Sequence, residues 1–76
     1  MNAELLKRIT YNPKQFSGRP CIRGMRFRVS DVLELLATGM TAEQILEEHP
    51  SLEAEDIKAA LLYAVVKMDH PILLAA

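Results

Sequence analysis

The chain of 76 residues has room for a single domain, and its one cysteine, Cys21, excludes an internal disulfide. Half of the residues are hydrophobic, more than so small a core can use, which predicts pairing with a second copy or another protein. No apolar run approaches the ~20 residues of a membrane span, and residues 1–10 do not have the pattern of a signal peptide. We therefore expect a cytoplasmic protein with no membrane partner.

The net charge of −1 conceals a separation of charge along the chain. Residues 1–30 carry seven basic residues and one acidic residue, a net +6, whereas residues 31–76 carry two basic and nine acidic residues, a net −7. These charges form either an ordinary solvated surface or a basic arm for a polyanion or an acidic partner on an acidic helical body. The near-complete separation favours the arm.

The N-terminal region predicts one short strand. Residues 2–8 fit a helical turn or an extended strand equally well. Residues 7–11 alternate polar and apolar side chains, and Asn12-Pro13 ends the pattern, so we predict a strand over 7–11.

The segment 18–29 predicts a basic β-hairpin. Pro20 makes the chain enter it in an extended conformation. Gly24 supplies the positive φ of a tight turn between Cys21-Ile22 and the segment 27–29. The segment holds four of the nine basic residues of the chain and leads into a helix at Ser30.

Three helices are predicted to follow. Ser30 is expected to cap the first, and Gly39 to end it. Thr41 and Gln44 have the spacing of a capping box for a second helix over about 42–48. The third begins near residue 53 or 54 and ends near Met68.

The predicted fold class is therefore mostly α, a homeodomain-like three-helix (helix-turn-helix) core with a short N-terminal β-strand and β-hairpin. We expect one domain over 1–76. It comprises a basic β arm (1–29), a trihelical core (30–70) and an apolar tail (71–76), to which we assign no structure.

Catalysis is poorly supported by the sequence. His49 and His70 are isolated beside prolines, whereas a zinc site needs two to four closely spaced Cys or His. Cys21 has no base nearby and is expected to be a small buried apolar residue. We predict a protein that is not an enzyme and has no catalytic residue, metal or cofactor.

Nucleic-acid binding would not follow the usual helix-turn-helix pattern. The third helix begins with Glu53, Glu55 and Asp56, which would meet phosphates with like charge. The helix-turn-helix is therefore expected to be a scaffold, and binding of nucleic acid or of an acidic partner protein is assigned to the basic arm. The candidate binding residues are Lys7, Arg8, Arg19, Arg23, Arg26 and Arg28.

The third helix also resembles a contact surface. One apolar stripe consists of Ile57, Leu61, Ala64, Val65 and Met68, and a second of Leu62 and Val66. One stripe can serve the core, and the second indicates either a partner or a helix that is central to the domain. We predict a homodimer whose interface includes Tyr11, Leu62 and Val66.

A resemblance covers most of the chain, from about residue 8 to residue 63. It is carried by Asn12-Pro13, Gly18-Arg19-Pro20-Cys21-Ile22-Arg23-Gly24, Arg26, Val29, Gly39, Glu43, Ile45, Leu46, Pro50, Leu52, Asp56-Ile57 and Ala59-Ala60-Leu61. With this set the chain resembles domain-of-unknown-function family 433. It departs from the family at Met25, Phe27 and Arg28, where Thr, Ile and Pro are common.

The resemblance implies a VapB-type antitoxin with a helix-turn-helix domain, encoded beside a PIN-like nuclease toxin. We therefore expect the non-catalytic antitoxin of a type II toxin–antitoxin pair, which binds and neutralises that toxin. There are two alternatives. The chain is a DNA-binding repressor that binds operator DNA, for example that of its own operon, through the basic hairpin, or it is a plain dimerisation module.

Overall fold

The computed structural model describes residues 3–69 and confirms a mostly helical domain with a short two-stranded sheet. The elements, in chain order, are α1 (Ala3–Leu6), β1 (Ile9–Thr10), a short 3-10 helix (Phe16–Gly18), β2 (Cys21–Ile22), α2 (Val29–Ala37), α3 (Ala42–Glu48) and α4 (Ala54–Met68). The expectations for His70 and for the tail 71–76 lie outside the described residues. No helix within residues 3–69 has the length and apolarity that crossing a bilayer requires.

The sheet pairs the N-terminal strand with the first half of the predicted hairpin. β1 and β2 are antiparallel, with Ile9 opposite Ile22. The predicted strand 7–11 is reduced to two residues because α1 precedes it and the amides of residues 7 and 8 donate to the end of that helix. The second half of the hairpin is reduced to one bridge between Cys21 and Arg28, since the chain enters α2 directly afterwards.

The turn of the hairpin lies where the sequence predicts it. Gly24 has a φ of +72°, as expected, and Arg23 before it has a φ of +44°. The amide of Met25 donates to the carbonyl of Ile22 at 2.8 Å, which closes the turn. Two successive positive φ angles are typical of a type I′ turn, and a non-glycine residue in the first position is unusual.

The helix ends follow local capping chemistry. The prediction of Ser30 as N-cap is wrong: α2 begins two residues earlier than expected, and the carboxylate of Asp31 accepts the amide of Arg28 at 2.9 Å. Thr41 and Gln44 form the predicted capping box at the start of α3. Gly39 ends α2 with a φ of +99°, as predicted.

The core lies between α4 and the other helices. Its buried apolar side chains are Ile9, Ile22, Val29, Val32, Ile45, Leu52, Ile57, Ala59 and Ala60. Burial on α4 is confined to residues 56–60, within its N-terminal half. Of the stripe that begins at Ile57, only Ile57 belongs to this core, because Leu61, Val65 and Met68 are exposed.

Candidate interaction site

The centre of the site is a fully buried carboxylate on α4. Asp56 has no exposed surface, yet all of its oxygens are hydrogen-bonded. Arg23 donates from Nε at 3.0 Å to Oδ1 and from Nη2 at 2.8 Å to Oδ2. Arg8 donates from Nη1 to Oδ1 at 2.9 Å, and the backbone amide of Glu53 donates to Oδ2 at 2.8 Å. This set of four residues is called the Asp56 ion cluster below.

The cluster connects parts of the chain that are distant in sequence. Arg8 lies beside β1 and also donates to Oε1 of Glu53 at 2.7 Å. Arg23 lies in the hairpin turn and also donates to the carbonyl of Ser51, before α4, at 2.9 Å. One carboxylate therefore fixes β1 and the hairpin turn against the N-terminus of α4. A buried charge needs such complete pairing because desolvation is costly.

The surroundings of Asp56 act on its pKa in opposite directions. Burial raises the pKa of the carboxyl, but hydrogen bonds from Arg23, from the Glu53 amide and from Arg8 lower it. The net result is a pKa below the usual value of an aspartate. The hydrogen bond to Asp56 likewise raises the pKa of Arg23, and that to Glu53 raises the pKa of Arg8. Asp56, Arg23 and Arg8 therefore keep their charges at neutral pH.

A second ion pair lies at the start of α2. Arg28 donates from Nη2 to Oδ1 of Asp31 at 3.0 Å, and its guanidinium lies 5.3 Å from the centre of the Phe16 ring. Burial raises the pKa of the Asp31 carboxyl, but the Arg28 side-chain and backbone hydrogen bonds outweigh it and leave the pKa lowered. Lys7 forms a solvent-exposed pair with Glu4 at 3.0 Å.

The structure divides the six predicted binding residues into two groups. Four have acidic partners within the chain: Arg8 and Arg23 in the Asp56 ion cluster, Arg28 with Asp31, and Lys7 with Glu4. Arg19 and Arg26 are exposed and form no ion pair with any residue of the described segment 3–69. The same holds for Lys14, which the sequence analysis did not select. The six residues therefore do not form one free basic surface.

Arg26 lines an open surface pocket of about 360 Å³ next to α2. The ring of Phe27 packs edge-on against His49 with 5.0 Å between ring centres, and His49 is partly buried. Glu34 and Asp31 also line the pocket. An arginine and two carboxylates around an apolar floor can hold a side chain of a partner protein.

The predicted dimer residues lie in different surroundings. Tyr11 is exposed, and its hydroxyl hydrogen-bonds that of Tyr63 at 3.2 Å, which raises the pKa of Tyr11. Val66 is exposed, and Leu62 is partly buried. The most exposed apolar residues of α4 are those that the sequence analysis grouped with Ile57, namely Leu61, Val65 and Met68.

Cys21 is buried, as predicted, and its Sγ donates to the carbonyl of Arg19 at 3.4 Å. Burial raises the pKa of this thiol, which lowers its reactivity at neutral pH. Within residues 3–69, His, Cys, Asp and Glu side chains form no group of three or more that is arranged to hold a metal ion.

Sequence reasoning missed the role of Asp56. It treated Glu53 and Asp56 alike as acidic groups at a helix start, whereas the structure buries one of them. A usable signal exists in the spacing, because Asp56, Ala60 and Tyr63 lie at i, i+4 and i+7 on one face of α4 with the small residue Ala59 beside them. An acidic residue on the core face of a helix predicts a buried partner of opposite charge.

Two comparisons with known proteins returned matches. The sequence model of the family described as "Protein of unknown function (DUF433)" matches residues 9–64. The chain is 43% identical over 56 residues to a protein of Sinorhizobium fredii (strain NBRC 101917 / NGR234) named "Uncharacterized protein y4eO". That similarity covers 74% of this chain and 25% of the relative, so the matched segment spans about a quarter of the relative's length. No solved structure matches the chain significantly.

Proposed function

The chain belongs to the DUF433 family, and we propose that it is the non-catalytic antitoxin of a type II toxin–antitoxin pair in the cytoplasm. The class of the toxin, a PIN-like nuclease, follows from the resemblance of the sequence to VapB-type antitoxins. The observation that supports a binding mode is the exposure of Arg26 without an ion pair in residues 3–69. The reducing cytoplasm suits a protein whose one cysteine is a free thiol.

Arg26 is the best candidate to enter an acidic nuclease site. PIN-like sites are acidic because they hold Mg²⁺, and an arginine can satisfy such carboxylates with charge-assisted hydrogen bonds. Arg23 and Arg28 already bind Asp56 and Asp31, so using them would break these ion pairs. Arg26 would break no ion pair within residues 3–69 on entering such a site. Arg19 shares this property, because it is also exposed and has no ion pair in these residues.

Co-expression with a PIN-like nuclease gene, which the proposal expects beside the gene of this chain, tests the proposal. Arg26→Glu should abolish rescue of growth, because a carboxylate repels the acidic site, and Arg26→Ala should weaken it. Lys67→Glu is the matched control, since Lys67 is an exposed cation near the end of α4 and lies outside the basic arm. Undiminished rescue by an Arg19→Glu/Arg26→Glu double variant would contradict an arginine-led mechanism.

A DNA-binding repressor is the second candidate, and the exposure of Lys14, Arg19 and Arg26 favours it. These three cations precede α2 and form no ion pair with the acidic residues of the described segment 3–69. Phosphates attract exposed, unpaired cations, and arginines on a hairpin reach phosphates before bases. Operator DNA would therefore contact the hairpin and the loop before it.

A further inference from the structure

The outer face of α4 carries apolar side chains that nothing in residues 3–69 covers. We define this outer face as Leu61, Val65 and Met68, which are 47%, 54% and 74% exposed. Their spacing of four and three residues places them in one stripe along the helix. Val66, 38% exposed, extends the face at one side. A contiguous apolar stripe of this kind marks an interaction surface, unlike apolar residues scattered singly.

The charges beside the stripe indicate what covers it. Lys58 and Asp69 are both exposed, and they are eleven residues apart, which is close to three turns of helix. They therefore lie on the same flank of the outer face, one before Leu61 and one after Met68. When two copies of α4 pack antiparallel about a two-fold axis, the flank that carries Lys58 and Asp69 in one copy meets the same flank of the other copy. Lys58 of each copy would then face Asp69 of the other, which gives two ion pairs.

The positions of these residues also fit a two-fold axis. A two-fold axis crosses an antiparallel helix pair at one point along the helix, so the residues that meet across it must have the same midpoint in the sequence. This holds for apolar contacts and for ion pairs alike. The midpoint of 58 and 69 is 63.5 and that of 61 and 68 is 64.5, so the two centres coincide within one residue. A parallel pair would offer Lys58 and Asp69 no such partner. The pair that Lys58 forms with Glu55 at 3.2 Å is exposed and does not compete strongly.

We propose that two copies of this chain associate through antiparallel α4 helices, with the outer faces in contact and the two-fold axis near Val65. The predicted interface is thereby moved from Tyr11 and Leu62 to the stripe beside Val66. This pairing does not depend on the antitoxin proposal.

Disulfide mapping of the full chain tests the orientation. Val65→Cys places two thiols beside the two-fold axis and should form a cross-linked dimer on mild oxidation. Ala54→Cys is the matched control on the same helix, because its two thiols would be roughly 30 Å apart in an antiparallel pair. Cys21 is buried and should not interfere. Cross-linking of both variants would overturn the antiparallel arrangement, and cross-linking of neither would overturn the pairing.

Charge reversal tests the ion pairs and the occupant. In sedimentation equilibrium the unaltered chain should approach twice 8.5 kDa. Lys58→Asp and Asp69→Lys should each raise the dissociation constant of the dimer about tenfold, since both ion pairs become repulsions. An equimolar mixture of the two variants should restore association, because each flank then meets the opposite charge. The exposed substitution Glu43→Lys on α3 is the control and should change nothing.

Two outcomes of that experiment would overturn the proposal. An unaltered chain that stays monomeric at about 100 µM, in the range of weak interfaces, would show that a second copy does not cover the outer face. A mixture that associates no better than either variant alone would show that Lys58 and Asp69 do not meet.

Discussion

Arg23 and Asp56, 33 residues apart, are joined by a guanidinium that donates from Nε and Nη2 to the two oxygens of a fully buried carboxylate. Arg23 also has a φ of +44°, a left-handed conformation that costs a non-glycine residue roughly 1 kcal/mol. The contact with Asp56 compensates for this conformation. The hairpin turn is therefore held by α4 as well as by its own sequence.

The first prediction concerns the charge of Asp56. Asp56→Asn keeps the size of the side chain but removes its negative charge and replaces one of the two oxygens that accept from Arg8, Arg23 and the Glu53 amide by an NH2 group, which can only donate. The free energy of unfolding should fall by about 2 kcal/mol, the scale of hydrogen bonds to a buried charged group. Urea unfolding at neutral pH measures this. Glu55→Gln, one residue earlier and partly exposed, is the control and should have little effect; equal losses in the two variants would contradict the central role of Asp56.

The second prediction concerns acid pH. The pKa of Asp56 and that of Asp31 are lowered in the folded chain, so the unfolded chain takes up protons first as the pH falls. The stabilisation that the ionised Asp56 and Asp31 provide is complete above about 3.9, the pKa of an aspartate in the unfolded chain. It is lost progressively as the pH falls through the lower pKa values of the folded chain. Urea unfolding at about pH 6, 4 and 3 should show this loss. The Asp56→Asn variant should lose less stability over the same pH range than the unaltered chain. If the variant and the unaltered chain lose the same amount, Asp56 does not contribute to the pH dependence.

The third prediction separates the effect of the guanidinium geometry of Arg23 from the effect of its charge in the ion pair with Asp56. Arg23→Lys keeps the positive charge, but an ammonium cannot bind both oxygens of Asp56 and the carbonyl of Ser51 with the geometry of a guanidinium. The free energy of unfolding should fall by about 1–2 kcal/mol. Arg26→Lys is the matched control, because Arg26 is exposed and unpaired within residues 3–69. Thermal and urea unfolding of the two variants should differ clearly; similar stabilities would mean that a point charge suffices.

Local sequence patterns predicted those parts of the fold that local chemistry determines. The capping box of Thr41 and Gln44 and the positive φ angles of Gly24 and Gly39 depend on residues that are close in sequence, and the structure confirms them. Ser30 failed as a cap because α2 begins at Val29, which places Ser30 inside the helix and Asp31 at its third position, where the carboxylate accepts the amide of Arg28. A capping preference at a single position therefore did not locate the first residue of the helix.

The candidate site depends on contacts between distant residues, which no local pattern contains. The charges of Arg8, Arg23 and Asp56 are evident in the sequence, but their pairing requires β1, the hairpin and α4 to be in place. The basic arm therefore seemed free, although most of its charge is neutralised within the chain. On α4 both apolar stripes were recognised, but the face that the core leaves exposed depends on where the other helices end.

The last prediction separates two routes to DNA. If the repressor proposal holds, binding depends on the cations that the structure leaves unpaired. Two copies that each present Lys14, Arg19 and Arg26 should give a slope of log K against log salt of about −5, at ~0.9 per phosphate. Fluorescence anisotropy with a duplex from the operator region, at several salt concentrations, measures this slope. The Arg19→Ala/Arg26→Ala variant should flatten it, whereas Lys58→Ala on α4 should barely change it, because Lys58 lies among the acidic residues at the start of α4 and is paired with Glu55. Loss of binding in Lys58→Ala, with binding retained in the double variant, would show instead that α4 contacts the duplex.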